Sequence, residues 1–176
     1  MQLANGMGHL TYSTLVHPGD SWDDIWASLQ KYVPAVKRNV SPNAPFGVSM
    51  RISHATSEVL IASPEKRAMV RKFLADNDMY LYTVNAFPYG PFKNQIVKEQ
   101  VYEPDWSSLE RLKYTMNVAT IVADIAPESV NPSIQTPPLG FKPNVTSIAV
   151  VEAYAENVRK LATHVNNIHR YKGRTV

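Results

Sequence analysis

The sequence predicts an α/β fold of about four β/α units, the N-terminal half of a (β/α)8 TIM barrel, and three observations carry the prediction. Short apolar runs alternate with long helical periods in the order β-α-β-α-β-α-β-α, which implies parallel strands joined by right-handed crossovers. Each strand has one apolar face and one polar or mixed face. A barrel wall has this pattern, whereas a sheet covered by helices on both sides has two apolar faces. The chain has 176 residues, room for four units where a whole barrel takes about 250 residues. A complete four-stranded sheet with a frayed tail is the alternative.

The first strand is expected over residues 10–17, with Thr11, Ser13, Leu15 and His17 on one face. Trp22, Ile25, Trp26, Leu29, Val33, Val36 and Val40 then recur at steps of three and four, the mark of one buried helical face. Ser21 with Asp24 supplies a cap, and Pro34 is expected to kink or divide the helix. A second strand covers residues 46–53, alternating Val48, Met50 and Ile52 with Ser49, Arg51 and Ser53. A short helix over 57–62 precedes a stronger helix start at Ser63-Pro64-Glu65, which runs to about residue 77.

The third strand covers 79–87, with Tyr80, Tyr82 and Val84 on one face and Met79, Leu81, Thr83 and Asn85 on the other. A Pro-, Gly- and aromatic-rich connection reaches about residue 104. Ser107 and Glu110 form a capping box for a helix lined by Leu109, Leu112, Met116, Ala119, Ala123 and Ala126. The fourth strand covers 133–136. The last helix covers 146–171, with Ile148, Val151, Ala155, Val158, Ala162, Val165 and Ile168 on one side. Gly173 is expected to terminate it, and Arg174-Thr175-Val176 to open a fifth strand.

Composition removes several chemistries. With no cysteine, disulfides, thiolate metal sites and a Cys nucleophile are excluded. The formal charge is +3, a small excess spread along the chain rather than concentrated as in nucleic-acid binders. No apolar stretch reaches the roughly 20 residues that span a bilayer, and no signal peptide opens the chain. The expectation is a single cytoplasmic domain, with no nucleic-acid partner and no membrane insertion. Phosphate-binding glycine loops, dinucleotide fingerprints, nucleophile elbows and zinc-helix motifs are absent.

Ligands in such barrels sit at the C-terminal ends of the strands, and the candidates follow from that rule. His17 could orient a hydroxyl, move a proton or bind a metal, or bond its own turn. Asn85, with an amide that both donates and accepts, suits a pair of sugar hydroxyls. Arg51 could hold an anion or brace the rim. Tyr89, in the loop after Asn85, could stack on a substrate or plug the loop. Lys93 and Lys98 could neutralise phosphate or an enolate, and Glu99 could act as a base, although surface pairing is the commoner fate of such residues. Gln135 at the fourth strand adds a polar contact. His164 and His169, five apart on the last helix, read as surface residues, and no full set of metal ligands is present.

Several runs resemble the EboE family of metabolite-traffic proteins: Leu10-Thr11-Tyr12 leading to His17-Pro18-Gly19-Asp20-Ser21-Trp22, Tyr32-Val33-Pro34, Thr83 to Phe92, Val97 to Trp106, and Ser133-Ile134-Gln135-Thr136-Pro137. The resemblance covers nearly the whole chain, and the run from Thr83 to Trp106 is its most specific part. Ser13 and Leu15 stand where Cys and Asn are expected in relatives. The resemblance implies a xylose isomerase-like barrel related to sugar-phosphate isomerases and epimerases, and members about twice this length. It implies a divalent metal (Mg, Mn, Zn or Co) held mainly by later strands, beyond Val176. It also implies a role in processing or moving a secondary-metabolite precursor, with other proteins of the same gene cluster as partners. On that basis the intact protein is expected to be a metal-dependent isomerase or epimerase of a small polar metabolite, with the isolated 176 residues metal-free and inactive. The competing reading is a noncatalytic metabolite-binding protein that serves transport. Cleavage of DNA phosphodiesters would need metal-binding histidines and a basic face, and the sequence offers neither.

Overall fold

A computed structural model describes residues 1–91 and 98–176. Four strands, β1 (Thr11–Ser13), β2 (Phe46–Arg51), β3 (Met79–Asn85) and β4 (Ser133–Gln135), form one parallel sheet in sequential order. Five α-helices connect or follow them: α1 (Trp22–Val40), α2 (His54–Ala62), α3 (Pro64–Asp76), α4 (Leu109–Ile125) and α5 (Ile148–Lys172). The α/β alternation expected from the sequence is therefore present. α4 is the central helix and packs against α2, α3 and α5, so its buried surface takes in Arg111, Tyr114, Thr115, Val118 and Val122. Leu109, expected on the buried face, is exposed.

The main core lies on one face of the sheet. Val48 and Met50 of β2, Leu81 and Val84 of β3, and half-buried Ile134 of β4 share a cluster with Leu29, Val33, Leu60, Leu74, Tyr114 and Ile121 from the helices. Each such fully buried aliphatic contributes roughly 1.5–3 kcal/mol relative to exposure. The opposite face of β2 is also buried, but loops cover it rather than helices. Gly47 lies under Met1 and Leu10, Ser49 touches Asn85, and Arg51 lies under the Gly19–Asp20 turn. Residues 1–10 turn back on themselves through an antiparallel Gln2–His9 bridge and place His9 on β3, stacked on Tyr82 and bonded to the Tyr80 hydroxyl at 2.7 Å.

Local differences from the sequence expectations have specific causes. β1 stops at Ser13, because the Ser13 hydroxyl accepts from Leu15 N–H and a 3₁₀ turn, Thr14–Val16, follows. Pro34 does not divide α1, which runs unbroken from a capping box at Ser21 and Asp24. α2 begins at His54 because Ser53 caps it. The cap of α4 is Ser108; Ser107 bonds Asp105 instead. In β3 the pairing with β2 jumps from Val48–Leu81 to Ser49–Thr83, so Tyr82 is an extra residue in a bulge. The bulge resets the alternation. Val84 joins Leu81 on the core face, and Thr83 and Asn85 join Tyr80 on the other. On α5 the buried residues are Tyr154, Asn157 and Ile168, while Ile148, Val151 and Val158 of the expected stripe are exposed. Arg174-Thr175-Val176 forms no strand; Arg174 bonds the Ala126 and Pro127 carbonyls, and Val176 packs against the Ala119–Ala123–Ile168 cluster.

Candidate functional site at the strand C-terminal ends

On the face away from the main core, three strands bring hydroxyl and amide groups together. Ser13 and Ser49 are register partners, and Asn85 Nδ2 donates to both hydroxyls at 3.2 Å. The β3 bulge is what permits this, because unbroken alternation would place Val84 here. Asn85 Oδ1 has no hydrogen bond among the described residues and is not one of the buried unsatisfied atoms. It is left as an acceptor that keeps some solvent contact, in a side chain that is otherwise buried. Thr83 and Ser133 continue the row through a 2.9 Å hydroxyl bond, and Gln135, paired with Asn85 in register, is exposed beyond them.

Arg51 ends β2 and is almost fully buried. Its guanidinium pairs with the Asp20 carboxylate and donates to the Gly19 carbonyl, and its Nε lacks a partner among the described residues. Gly19 has φ +86°, and a side chain there would collide with Asp24, so the turn that accepts from Arg51 requires glycine. Asp20 O also accepts from the Ser53 and Thr56 hydroxyls. Arg51 therefore braces the rim through Asp20.

His17 belongs to the other side of β1. It is buried, Nε2 bonds the Tyr12 hydroxyl at 3.0 Å, and its ring lies against Tyr32 of α1. Successive strand residues face opposite ways, so His17 on Tyr12 and Asn85 on Ser13 are separated by the sheet. The expectation that His17 shares a face with Ser13 fails because the 3₁₀ turn intervenes. A void of only about 10 Å³ adjoins His17, Thr14 and Arg51.

Tyr89 is held in an aromatic cluster. Its ring stacks on His54 at 4.3 Å and meets Tyr114 edge-on, and the Arg111 guanidinium lies over it. Burial, followed by the Glu110 charge, pushes its hydroxyl pKa up. Lys98 and Glu99 are exposed in a 3₁₀ segment, Lys98–Tyr102, with no hydrogen bond or ion pair to the strand-end groups among the described residues. Lys93 lies outside the described residues.

Sequence reasoning missed the groups that organise this end of the sheet. Arg111, fully buried, donates to the carbonyls of Pro104 (2.8 Å), Ala86 (3.1 Å) and Phe87 (3.3 Å) and so ties these residues to α4. Burial lowers its pKa. Tyr114 donates to the Ile52 carbonyl at 2.5 Å, and burial raises its pKa strongly. The available signal for Arg111 was its place in the series Arg111, Thr115, Val118, Val122, one buried helical stripe. Asp105 accepts from Ser107 and, at 2.8 Å, from the Tyr154 hydroxyl of α5. Burial raises the Asp105 pKa, but the Ser107 and Tyr154 bonds and the Arg111 charge outweigh it and hold the carboxyl below its usual range. Tyr154 is pushed up to about 12 by burial and by Asp105.

Hydroxyls, amides and a guanidinium at the strand ends do not fit a divalent cation, which prefers carboxylate and imidazole donors. Among the described residues no group of three His, Asp or Glu side chains is placed to hold one, and no helix is long and apolar enough to cross a membrane. At the opposite end of the strands lies a cleft of about 630 Å³ lined by residues including Met1, His9, Pro45, Asp78, Tyr80 and Val130. Scans against protein-family models, curated proteins and solved structures each found no match.

Proposed function

We propose that this chain is the substrate-holding part of an EboE-like, xylose isomerase-like barrel, and that its polar strand ends orient a small polyhydroxylated or phosphorylated metabolite. The observation that carries this reading is the Ser13–Ser49–Asn85 cluster, with Asn85 Oδ1 left without a protein donor among the described residues. Vicinal hydroxyls of a sugar-like molecule would donate to Oδ1 and exchange hydrogen bonds with the serines and Gln135. Support for a barrel comes from the sequential parallel order, the single main core face and the polar opposite face. The resemblance of residues 83–106 points the same way.

Within this reading the described residues bind and position. They offer no carboxylate base beside Asn85, and Arg51 is occupied with Asp20 and Gly19. This favours the noncatalytic metabolite-binding reading for the chain as it stands. Isomerase or epimerase chemistry, with its divalent metal and a cytoplasmic gene-cluster context, belongs to the longer protein that the family resemblance implies. Calorimetric titration with a panel of polyols, sugar phosphates and inorganic phosphate tests the proposal. Saturable binding that Asn85→Ala weakens about 10–100-fold is the expected result. No binding by any panel member, or equal binding by the variant, would overturn it.

A further inference from the structure

Resting on the strand-end reading, we infer that this site takes an uncharged polyol or its amino derivative in preference to the corresponding phosphate ester. The contact groups are neutral. Ser13, Ser49, Thr83, Asn85, Ser133 and Gln135 carry hydroxyls and amides. Asn85 is 5% exposed and holds Oδ1 without a protein donor among the described residues. A buried acceptor of this kind calls for a donor. A hydroxyl or an ammonium group supplies one; a phosphate oxygen, itself an acceptor, does not.

The charges around the site point the same way. The helices return against the strands, so α1, α2, α4 and α5 begin at this end, where free helix N–H groups would attract an anion. The protein's own side chains take that place on α1, α2 and α4. Ser21 and Asp24 form a capping box on α1, the Ser53 hydroxyl caps α2, and Ser108 caps α4 with Glu110 in its first turn. α5 has no capping side chain, and Ile148-Ala149-Val150 at its start carry no cation. Hydrogen bonds from Ser21 and Ser108 hold Asp24 and Glu110 below the usual carboxylate range, so both are charged at neutral pH. The loops and first turns here also carry Asp20, Asp23, Glu103 and Asp105. Of the cations, Arg51 is engaged with Asp20 and Gly19, Arg111 with loop carbonyls, and Lys113 with Glu58. Lys98 stands beside Glu99, and Lys142 lies on the loop to α5. Carboxylates therefore outnumber cations at this end among the described residues. The chain's formal +3 lies toward the opposite end, where α1 and α5 finish in Lys37, Arg38, Arg170 and Lys172. A phosphate ester approaching the strand ends meets charge of its own sign.

Calorimetric titration of the chain with glucose, glucosamine and glucose 6-phosphate, one scaffold in three charge states, tests the inference at low and raised ionic strength. At a pH where the amine is protonated, glucosamine is expected to bind at least as tightly as glucose. Glucose 6-phosphate is expected to bind about 3–10-fold more weakly than glucose in low salt. Raised salt is expected to narrow that gap, because screening acts on charge and not on size. The inference is overturned by a phosphate ester that binds as tightly as glucose or tighter, by inorganic phosphate that displaces glucose, or by a gap that salt leaves unchanged. Each of those results leaves the Asn85 hydroxyl site standing. If none of these sugars binds, or if Asn85→Ala leaves glucose binding unaltered, the strand-end reading falls and this inference with it.

Discussion

Arg111 and Asp105 each tie several groups together. Arg111 satisfies three loop carbonyls and stacks against two tyrosines, so Arg111→Met would strand buried acceptors. A stability loss on the order of 3–5 kcal/mol is expected, since each orphaned group costs about 1–3 kcal/mol, and urea denaturation measures it. Asp105 has a lowered pKa in the folded state. Its stabilisation is therefore present above the unfolded value near pH 4 and lost as pH falls through the lower folded value. Asp105→Asn should flatten the acid limb of a stability–pH curve, though not abolish it, because Asp24, Glu65 and Glu110 are lowered too. Tyr154 has the opposite sign. Its contribution is present below about pH 10 and lost as pH rises through about 12; Tyr154→Phe should remove that alkaline loss. The polar character of Asn85 and Gln135 was legible in the sequence. The burial of Arg111 was not, because a lone arginine in a helix reads as surface unless its stripe is followed through Thr115 and Val118.

At the scale of elements, caps and periodicity located four of the five helices closely, and local chemistry moved the ends. Ser107 and Ser108 show why. Either hydroxyl could cap α4, and the choice falls to Ser108 because Asp105, itself fixed by Tyr154, takes Ser107. Ser108→Ala should cost about 1 kcal/mol by thermal unfolding. Gly140→Ala should cost more, about 1–3 kcal/mol, because its methyl group would collide with the Tyr154 hydroxyl and Asp105 and part α5 from the loop. The third strand exposes the limit of reading by alternation. An extra residue at Tyr82 leaves no mark in the hydropathy pattern, yet it decides that Asn85 rather than Val84 meets Ser49. The same blindness applies to the turn after Ser13, which carries His17 to the helix side of the sheet.

For the molecule as a whole, the parallel sheet followed from the β/α alternation, and the sequential strand order fits the one polar face per strand, since right-handed crossovers alone also allow doubly wound orders. What covers the polar face did not follow. The sequence assigns no element to the residues before the first strand, yet Met1–Leu10 folds under the sheet and sets His9 against Tyr80 and Tyr82. One end of that face is thus closed by the chain's own beginning, and the end at Ser13, Ser49 and Asn85 is the one proposed to receive the metabolite. Nuclear magnetic resonance of the Asn85 side-chain amide during titration with sugar phosphates and polyols tests that claim most directly. A saturable shift of this amide, with Gln135 following and His9 and Tyr80 unmoved, is the predicted result. Shifts confined to Met1, His9 and Tyr80 at the opposite end, or no shift with any compound, would contradict it.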